Sequence, residues 1–200
     1  MIRIGVLISG RGSNLQAILD ACRDGRIDGQ VVVVISDQPD AYGLKRAEAA
    51  GVEAFFLDPA ASPTRTAYSA ALARELLARN VDLVCLAGFM RLVRKPLLEA
   101  FPWRIMNIHP SLLPSFPGLH AQEQALKYGV KVSGCTVHFV TEGMDEGPII
   151  CQAAVPVLEG DTPETLAERI LVEEHRIYPQ AIQLFAEGRL SVEGRRVVVG

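Results

Sequence analysis

Two polar side chains at the end of a short apolar run are the first residues that point to chemistry. Residues 105–108 have the length and composition of a buried strand, bounded by Pro102 and Pro110. Asn107 and His109 lie two residues apart, so on a strand they share one face. An amide can donate to a developing oxyanion while a nearby imidazole moves protons. The alternative is a plain strand exit with a structural Asn and a solvent-facing His.

Three prolines stiffen the loop that follows this strand. Pro110, Pro114 and Pro117 fix the backbone φ angle and restrict the residue before each of them. An X-Pro bond in this loop is also a candidate for the cis isomer. We therefore expect the backbone beyond the Asn–His pair to hold one shape.

A glycine loop near the N-terminus is the second candidate site. Residues 2–8 form an apolar run of strand length, the sequence Ser-Gly-Arg-Gly-Ser-Asn follows at 9–14, and apolar residues then recur at helical spacing. Backbone N–H groups at a helix N-terminus bind anions, and glycines let a phosphate come close. Gly12, Ser13 and Asn14 are therefore candidates for binding the phosphate of a mononucleotide.

Two other interpretations of the glycine loop stay open. A dinucleotide site is supported by Asp37, which follows the second strand about where a ribose-binding acid would lie. Against it, Leu15 occupies the position of the third glycine of that fingerprint. The loop could also be an empty tight turn.

The elements that must position these residues alternate along the first half of the chain. Strands are predicted at 31–36, 52–57 and 82–87, with helices at 43–50 and 65–79. This alternation predicts a parallel sheet with right-handed crossovers and ligands at the carboxyl ends of the strands. The loop 88–93 lies at such an end and is a candidate ligand-facing wall.

The second half of the chain favours antiparallel pairing. A short helix at 121–128 precedes strands at 131–140 and 149–157, joined by an acidic, glycine-rich loop at 141–148. A long helix opens at Thr162 and Pro163, and Pro179 is expected to kink or interrupt it. A weak hairpin is expected at 190–199. The predicted fold class is α/β, a Rossmann-like, mostly parallel twisted sheet flanked by helices, with an antiparallel C-terminal part.

Composition limits the classes of function. The chain has 200 residues, 49% of them hydrophobic and 22% charged, which predicts a single domain over residues 1–200. A net charge of −3 provides no footprint for a long nucleic acid, although a small acidic substrate remains possible. No leader or membrane-length segment is found, so a cytoplasmic location is expected. The scattered Cys22, Cys85, Cys135 and Cys151 have no metal or redox spacing and are predicted to be core thiols.

Several motifs together resemble the phosphoribosylglycinamide formyltransferase family, monofunctional folate enzymes of purine biosynthesis. They are the loop at 9–14, Gly-Phe-Met-Arg at 88–91, Asn-Ile-His-Pro-Ser-Leu-Leu-Pro at 107–114, and Thr-Val-His-Phe-Val at 136–140 followed by Asp145. Their order and spacing are jointly specific, and the resemblance covers essentially the whole chain. One departure is Glu146, where the family more often has a small residue.

The resemblance implies a catalytic set and two binding regions. Residues matching Asn107, His109 and Asp145 are catalytic in that family. The N-terminal half is expected to bind the phosphate of the ribonucleotide, through Gly12, Ser13 and Asn14. Glu174 of the long C-terminal helix is expected to face the glycinamide. The C-terminal half is expected to bind folate, and the residues that border it are Arg65, Met90, Arg91, Leu92, Val93, Asn107, Val140, Thr141, Glu142, Gly143, Met144 and Asp145.

The implied reaction is transfer of the formyl group of 10-formyltetrahydrofolate to the amine of 5'-phosphoribosylglycinamide by direct attack. Asn107 would donate to the tetrahedral oxyanion, protonated His109 would stabilise it and supply a proton, and Asp145 would hold the imidazolium. Formyl folate is a cosubstrate, and neither a tightly bound cofactor nor a metal is expected. The expected partners are these small molecules, with monomer and homodimer both open.

Three alternatives remain beside this interpretation. Methionyl-tRNA formyltransferase and formyltetrahydrofolate hydrolase are similar around the Asn-x-His strand, but each needs a further domain. A non-enzymatic phosphoribosyl-ligand sensor could use the same glycine loop.

The other histidines, His120, His138 and His175, are predicted to be hydrogen-bonded structural or supporting groups rather than acids or bases.

Overall fold

A computed structural model describes all residues from 1 to 200 and contains a single nine-stranded sheet. The strands are β1 (Ile2–Ile8), β2 (Gly29–Ser36), β3 (Glu53–Phe56), β4 (Leu83–Leu86), β5 (Ile105–His109), β6 (Val132–Phe139), β7 (Ile149–Pro156), β8 (Leu190–Glu193) and β9 (Arg196–Val199). The helices are α1 (Ser13–Arg23), α2 (Tyr42–Ala49), α3 (Arg65–Ala78), α4 (Lys95–Ala100), α5 (Ala121–Tyr128) and α6 (Pro163–Ala186).

The direction of strand pairing changes at β5. The strand order is β3-β2-β1-β4-β5-β6-β7-β9-β8, and every pair from β3 to β5 is parallel. β5 then pairs antiparallel with β6, which pairs antiparallel with β7. The predicted fold class is confirmed, and β5 stands at the junction between its parallel and antiparallel parts.

Apolar side chains cover both faces of the sheet, as an α/β fold requires. In β1, Ile4, Val6 and Ile8 point to the face packed by α1 and α6, whereas Leu7 points to the face packed by α3 and α4. A strand buried on both sides reads as a continuous apolar run. This is why residues 2–8 lack the alternation of a surface strand.

The long helix α6 differs from its prediction. Thr162 caps it, with its hydroxyl accepting the backbone N–H of Thr165 at 3.2 Å, and the helix then runs without interruption to Ala186. Of the two effects expected at Pro179, a kink or an interruption, the interruption is wrong because the helix is continuous. Pro179 lies on the buried face beside Tyr178 and Ile182, and burial of that face offsets the one hydrogen bond that proline cannot make.

Tyr178 anchors α6 below the carboxyl ends of the central strands. Its hydroxyl lies 2.9 Å from the carbonyl oxygen of Leu86, at the end of β4, and 3.0 Å from that of Met106 in β5, so the two acceptors share its single proton. Burial raises the pKa of Tyr178 well above its usual value, which keeps the phenol a donor. The helix is thereby held in register with the strand that carries Asn107.

Short elements were the least accurate part of the sequence prediction. The helix α4 and a 3₁₀ turn at Pro59–Ala61 were not predicted, and several strand ends differ by one or two residues. The C-terminal hairpin was predicted, but its place in the main sheet was not. It extends the main sheet through a parallel pairing of Ile149 in β7 with Arg196 in β9.

Candidate active site

The carboxyl end of β5 opens into a cleft of about 660 Å³. Asn107 and His109 both line it, as expected from two residues of alternate positions on one strand. The antiparallel partner β6 places His138 directly opposite Asn107. Three side chains able to donate or carry protons therefore meet at one point of the cleft.

His109 is buried and both of its ring nitrogens face oxygen atoms. Nε2 lies 2.8 Å from the carbonyl oxygen of Phe116, to which it can only donate, and Nδ1 lies 3.5 Å from Oδ2 of Asp145. Two acceptors around one imidazole suit the doubly protonated, cationic form. The contact to Asp145 is longer than a strong hydrogen bond, whereas the contact to Phe116 has an ordinary hydrogen-bond length.

Asp145 joins two loops across the mouth of the cleft. Its backbone φ of 52° is in the left-handed region, which Asp tolerates better than most residues. Its Oδ2 atom accepts the backbone N–H of Gly118 at 2.8 Å, and its Oδ1 atom lies 3.9 Å from Nε2 of His138. One carboxylate therefore ties the proline loop to the 141–148 loop beside both histidines.

His138 determines the orientation of the Asn107 amide. Its Nδ1 lies 2.9 Å from the Phe139 carbonyl oxygen and must donate, while burial lowers the pKa of His138 and keeps the ring neutral. Nε2 is then an acceptor, and Nδ2 of Asn107 donates to it at 3.2 Å. The second N–H of the same amide is left for a ligand. The prediction that His138 is a hydrogen-bonded supporting group agrees with this geometry.

Most of the predicted folate-binding residues line the same cleft. They are Met90, Arg91, Leu92, Val93, Asn107, Val140, Thr141, Gly143, Met144 and Asp145. Glu142 does not line it. Arg65 lies in a smaller adjoining pocket of about 240 Å³, which Arg91 and Leu92 also line. The structure thus brings together two loops, 88–93 and 140–145, that are about 50 residues apart in sequence.

Glu146 is accommodated by its neighbours in the 141–148 loop. Its side chain folds over Gly143, where any larger residue would collide with the carboxylate. Nη2 of Arg195, in the C-terminal hairpin, donates to the backbone carbonyl oxygen of Glu146 at 2.7 Å. The unusual residue therefore does not displace Asp145 from the cleft.

The glycine loop forms a separate site at the end of β1. Gly12 has a φ of 73° and precedes the first residue of α1, Ser13, so the first N–H groups of the helix are free of side-chain caps. A Cβ atom on Gly12 would lie 2.7 Å from the Cα atom of Gly43. The backbone conformation that presents these N–H groups therefore requires glycine.

Asn14 and Glu174 meet beside the glycine loop. Nδ2 of Asn14 donates to Oε2 of Glu174 at 2.9 Å, and both side chains are buried. Burial raises the pKa of Glu174 above its usual 4.5, although the hydrogen bond from Asn14 lowers it. The Oγ atom of Ser9 accepts the backbone N–H of Met90 at 2.8 Å, which links this site to the wall of the cleft.

Some residues of the cleft were not predicted. Gly88 and Phe89 do not count among them, because the 88–93 loop was predicted as a candidate ligand-facing wall. The residues not predicted include Ile108, Pro110, Gly118, Leu119, Ala121 and Gln122. Most belong to the proline loop or flank it, and the run of prolines, which includes the cis peptide Leu113–Pro114, was the available signal. The imidazole of His120 is exposed, lines the cleft and has only Glu123 near it, with Nδ1 3.9 Å from Oε1. Nε2 of His175 is buried without a hydrogen-bond partner. That both histidines are supporting groups rather than acids or bases stays a prediction.

Two further observations concern metals and membranes. No group of three or more His, Cys, Asp or Glu side chains is arranged to hold a metal ion. None of the helices combines the length and apolar character needed to cross a membrane.

All four cysteines are free, with Cys85 and Cys135 buried and Cys22 and Cys151 partly buried.

Sequence comparison assigns the chain to a family. Residues 2–182 match the formyl transferase family, and the chain belongs to it. Within that family the chain is 47% identical to the phosphoribosylglycinamide formyltransferase of Escherichia coli K12, over 96% of this chain and 90% of that protein. It is 50% identical, over 94% of its length, to the trifunctional purine biosynthetic protein adenosine-3 of Drosophila pseudoobscura, of which it spans 14%.

Solved structures agree with this assignment. The glycinamide ribonucleotide transformylase 1 of Symbiobacterium toebii has 74% sequence identity and a TM-score of 0.99, covering 100% of this chain and 94% of that one. The phosphoribosylglycinamide formyltransferase of Anaplasma phagocytophilum has 44% identity and a TM-score of 0.91, covering 99% and 94%. The resemblance inferred from the motifs is thereby confirmed.

Proposed function

We propose that this protein transfers the formyl group of 10-formyltetrahydrofolate to the amine of 5'-phosphoribosylglycinamide. The products are formylglycinamide ribonucleotide and tetrahydrofolate, in de novo purine biosynthesis. The observation that carries the proposal is the convergence of Asn107, His109 and Asp145 in one cleft whose wall is bonded to the glycine loop. Membership of the formyl transferase family supports the same activity.

The proposed chemistry needs three groups around the formyl carbon. The substrate amine attacks that carbon and generates a tetrahedral oxyanion. The N–H of Asn107 that His138 leaves free donates to the oxyanion, and the positive charge of His109 stabilises it. Collapse of the intermediate breaks the bond to N10 of the folate.

A proton must also move from the attacking nitrogen to N10. Nδ1–H of His109 is the proton to transfer, because its contact to Asp145 is long while Nε2–H is held by the carbonyl oxygen of Phe116. The attacking nitrogen returns a proton to the imidazole. Asp145 stabilises the imidazolium before the transfer and again once the proton is returned, and it takes no covalent part.

The two substrates would occupy opposite ends of the site. The helix N-terminus at Gly12, Ser13 and Asn14 binds the phosphate, and Glu174 faces the glycinamide. Formyl folate binds in the cleft, between the 88–93 and 140–145 loops. Arg65 extends the folate site from the adjoining pocket.

We further propose that residues 1–200 act as one domain, because a single continuous sheet carries both ends of the site. Formyl folate is used as a cosubstrate, with neither a tightly bound cofactor nor a metal. The four free thiols suit a reducing, cytoplasmic location. The partners are small molecules, and monomer and homodimer both remain compatible with the proposal.

An acceptor comparison tests the proposed function. The purified protein is incubated with 10-formyltetrahydrofolate and, in turn, glycinamide ribonucleotide, the dephosphorylated riboside and methionyl-tRNA, and formylated product is followed by mass spectrometry. We expect product from the ribonucleotide, much less from the riboside and none from methionyl-tRNA. A single glycine loop is enough to bind one phosphate group, whereas binding a tRNA requires many cationic contacts. Product from methionyl-tRNA alone would refute the assignment. Ribonucleotide binding without product from any acceptor would favour the sensor.

A further inference from the structure

Asp37 is a buried carboxylate that the proposed reaction does not use. It follows the last residue of β2, the position at which a dinucleotide-binding fold holds a ribose. In this structure its side chain is only 2% exposed, and its Oδ2 atom accepts Nε–H of Arg91 at 2.7 Å. The carboxylate is therefore committed to an arginine of the 88–93 loop and is not open to a ribose.

Arg91 is held from two sides. Besides the bond to Asp37, its guanidinium lies over the ring of Tyr68, 5.7 Å from the centroid, and the Tyr68 hydroxyl donates to the Leu57 carbonyl oxygen at 3.1 Å. Its two terminal nitrogens make no hydrogen bond within the protein. Because Arg91 lines both the main cleft and the adjoining pocket, these donors stand at the junction of the two cavities.

The buried carboxylate of Asp37 strongly favours one position of the Arg91 side chain. The second carboxylate oxygen of Asp37, Oδ1, is buried and has no partner, so Arg91 is its only charged compensation. A buried charge that loses its partner is strongly destabilising. Asp37 therefore selects one position of Arg91 from the many rotamers that a half-exposed arginine could otherwise adopt.

We propose that Asp37 is a positioning residue for the formyl donor, acting through Arg91 and leaving the phosphorylated acceptor unaffected. This inference rests on the proposed function, because it assigns the cleft to formyl folate. The ligand group addressed is an acceptor, a carbonyl or carboxylate of the donor, since Arg91 offers only N–H donors. Asp37 itself touches neither substrate.

The test measures the dissociation constant of 10-formyltetrahydrofolate by calorimetry, together with KM for each substrate and kcat. In Asp37→Ala, we expect the donor dissociation constant and KM to rise about tenfold or more, the loss typical of a hydrogen bond to a charged group. The acceptor KM and kcat at saturation are expected to be unchanged. Asp37→Asn keeps an acceptor of the same size and should show a smaller rise.

Asp161→Ala is the matched control. Asp161 is also nearly buried and paired with an arginine, Arg169, at 2.8 Å, but it lines neither cavity. We expect this variant to lose stability without a change in donor binding. Two outcomes would mean that Asp37 only supports the structure in general. One is an equal rise of donor and acceptor KM in Asp37→Ala, and the other is a rise of donor KM in Asp161→Ala.

A double variant separates position from stability. Arg91→Ala is expected to lower the melting temperature, because it leaves Asp37 buried without its partner, and to weaken donor binding. Adding Asp37→Asn should recover the melting temperature but not the donor affinity. Unchanged donor binding in both Asp37 variants would overturn the inference. Failure of the proposed function is distinguishable, since it appears as absent turnover in the wild type while donor binding is still measured.

Discussion

The phosphate end and the catalytic end of the site are built in different ways. At the phosphate end, backbone is packed against backbone: Gly43 donates its N–H to the carbonyl oxygen of Gly10 at 3.0 Å, and Gly12 leaves no room for a side chain. At the catalytic end, side chains from β5, β6 and the 141–148 loop meet around His109. One end is a contiguous piece of chain, and the other is assembled from distant pieces.

The two ends of the site therefore tolerate different substitutions. A backbone cradle depends on conformation, so the residues that matter are those whose size or φ angle sets the path of the chain. An assembled constellation depends on the charge and hydrogen-bonding capacity of each member. Variants should therefore change binding at the phosphate end and turnover at the catalytic end.

The largest effect is expected for His109→Ala. Loss of the imidazole removes both the positive charge beside the oxyanion and the transferable proton, so kcat should fall about 100- to 10,000-fold. The dissociation constants of both substrates should change little, as calorimetry can show. A turnover close to that of the wild type would remove His109 from the proposed mechanism.

Asp145→Asn should have the second largest effect. The substitution keeps the shape of the side chain, including an oxygen for the N–H of Gly118, but removes the charge that faces His109. We expect kcat to fall about 10- to 100-fold, because an opposite charge this close typically stabilises the charged form of its neighbour by such a factor. Steady-state kinetics over a pH series would check this. Equal turnover at every pH would mean that the two side chains do not act together.

Gly12→Val addresses the phosphate end. A branched residue at a φ of 73° is strained and would collide with Gly43, so we expect KM for the phosphorylated acceptor to rise about 10- to 100-fold. The formyl donor KM should be spared. Gly10→Ala is the control, since a Cβ atom there meets no other atom within 4 Å. Comparable losses for both substrates would contradict the division of the site.

The smallest effect is a pH dependence of stability from Glu174. Its pKa is raised by burial above 4.5, so as the pH rises past 4.5 the unfolded chain loses this proton before the folded protein does. The wild type therefore loses stability with rising pH until the folded pKa is passed. The Glu174→Gln variant has no carboxyl group to ionise at this position, so it does not lose stability with rising pH in this way. Melting temperatures between about pH 4 and pH 7 should show the variant gaining on the wild type; a constant difference would contradict the raised pKa.

The sequence allowed much of the fold to be predicted, because local patterns dictate local structure. Three local features formed as expected. They are the strand at 2–8, the loop that contains the glycines at 10 and 12, and the helix start at Thr162–Pro163. The paired positions of Asn107 and His109 also followed from strand geometry alone. What failed locally was weak in pattern, such as the short helix α4, or was overridden by burial, as at Pro179.

Residue types and their spacing were enough to identify the residues that could do chemistry and the elements that would carry them. The pairing of Asp145 with His109 was expected from the family resemblance. Two other pairings became apparent only in the folded chain: the neutral ring of His138 with the Asn107 amide, and Arg91 with Asp37 rather than a ribose. These contacts depend on the order and register of strands that are far apart in the chain. A shift of one residue between β5 and β6 would turn His138 to the opposite face, and no local pattern records that register.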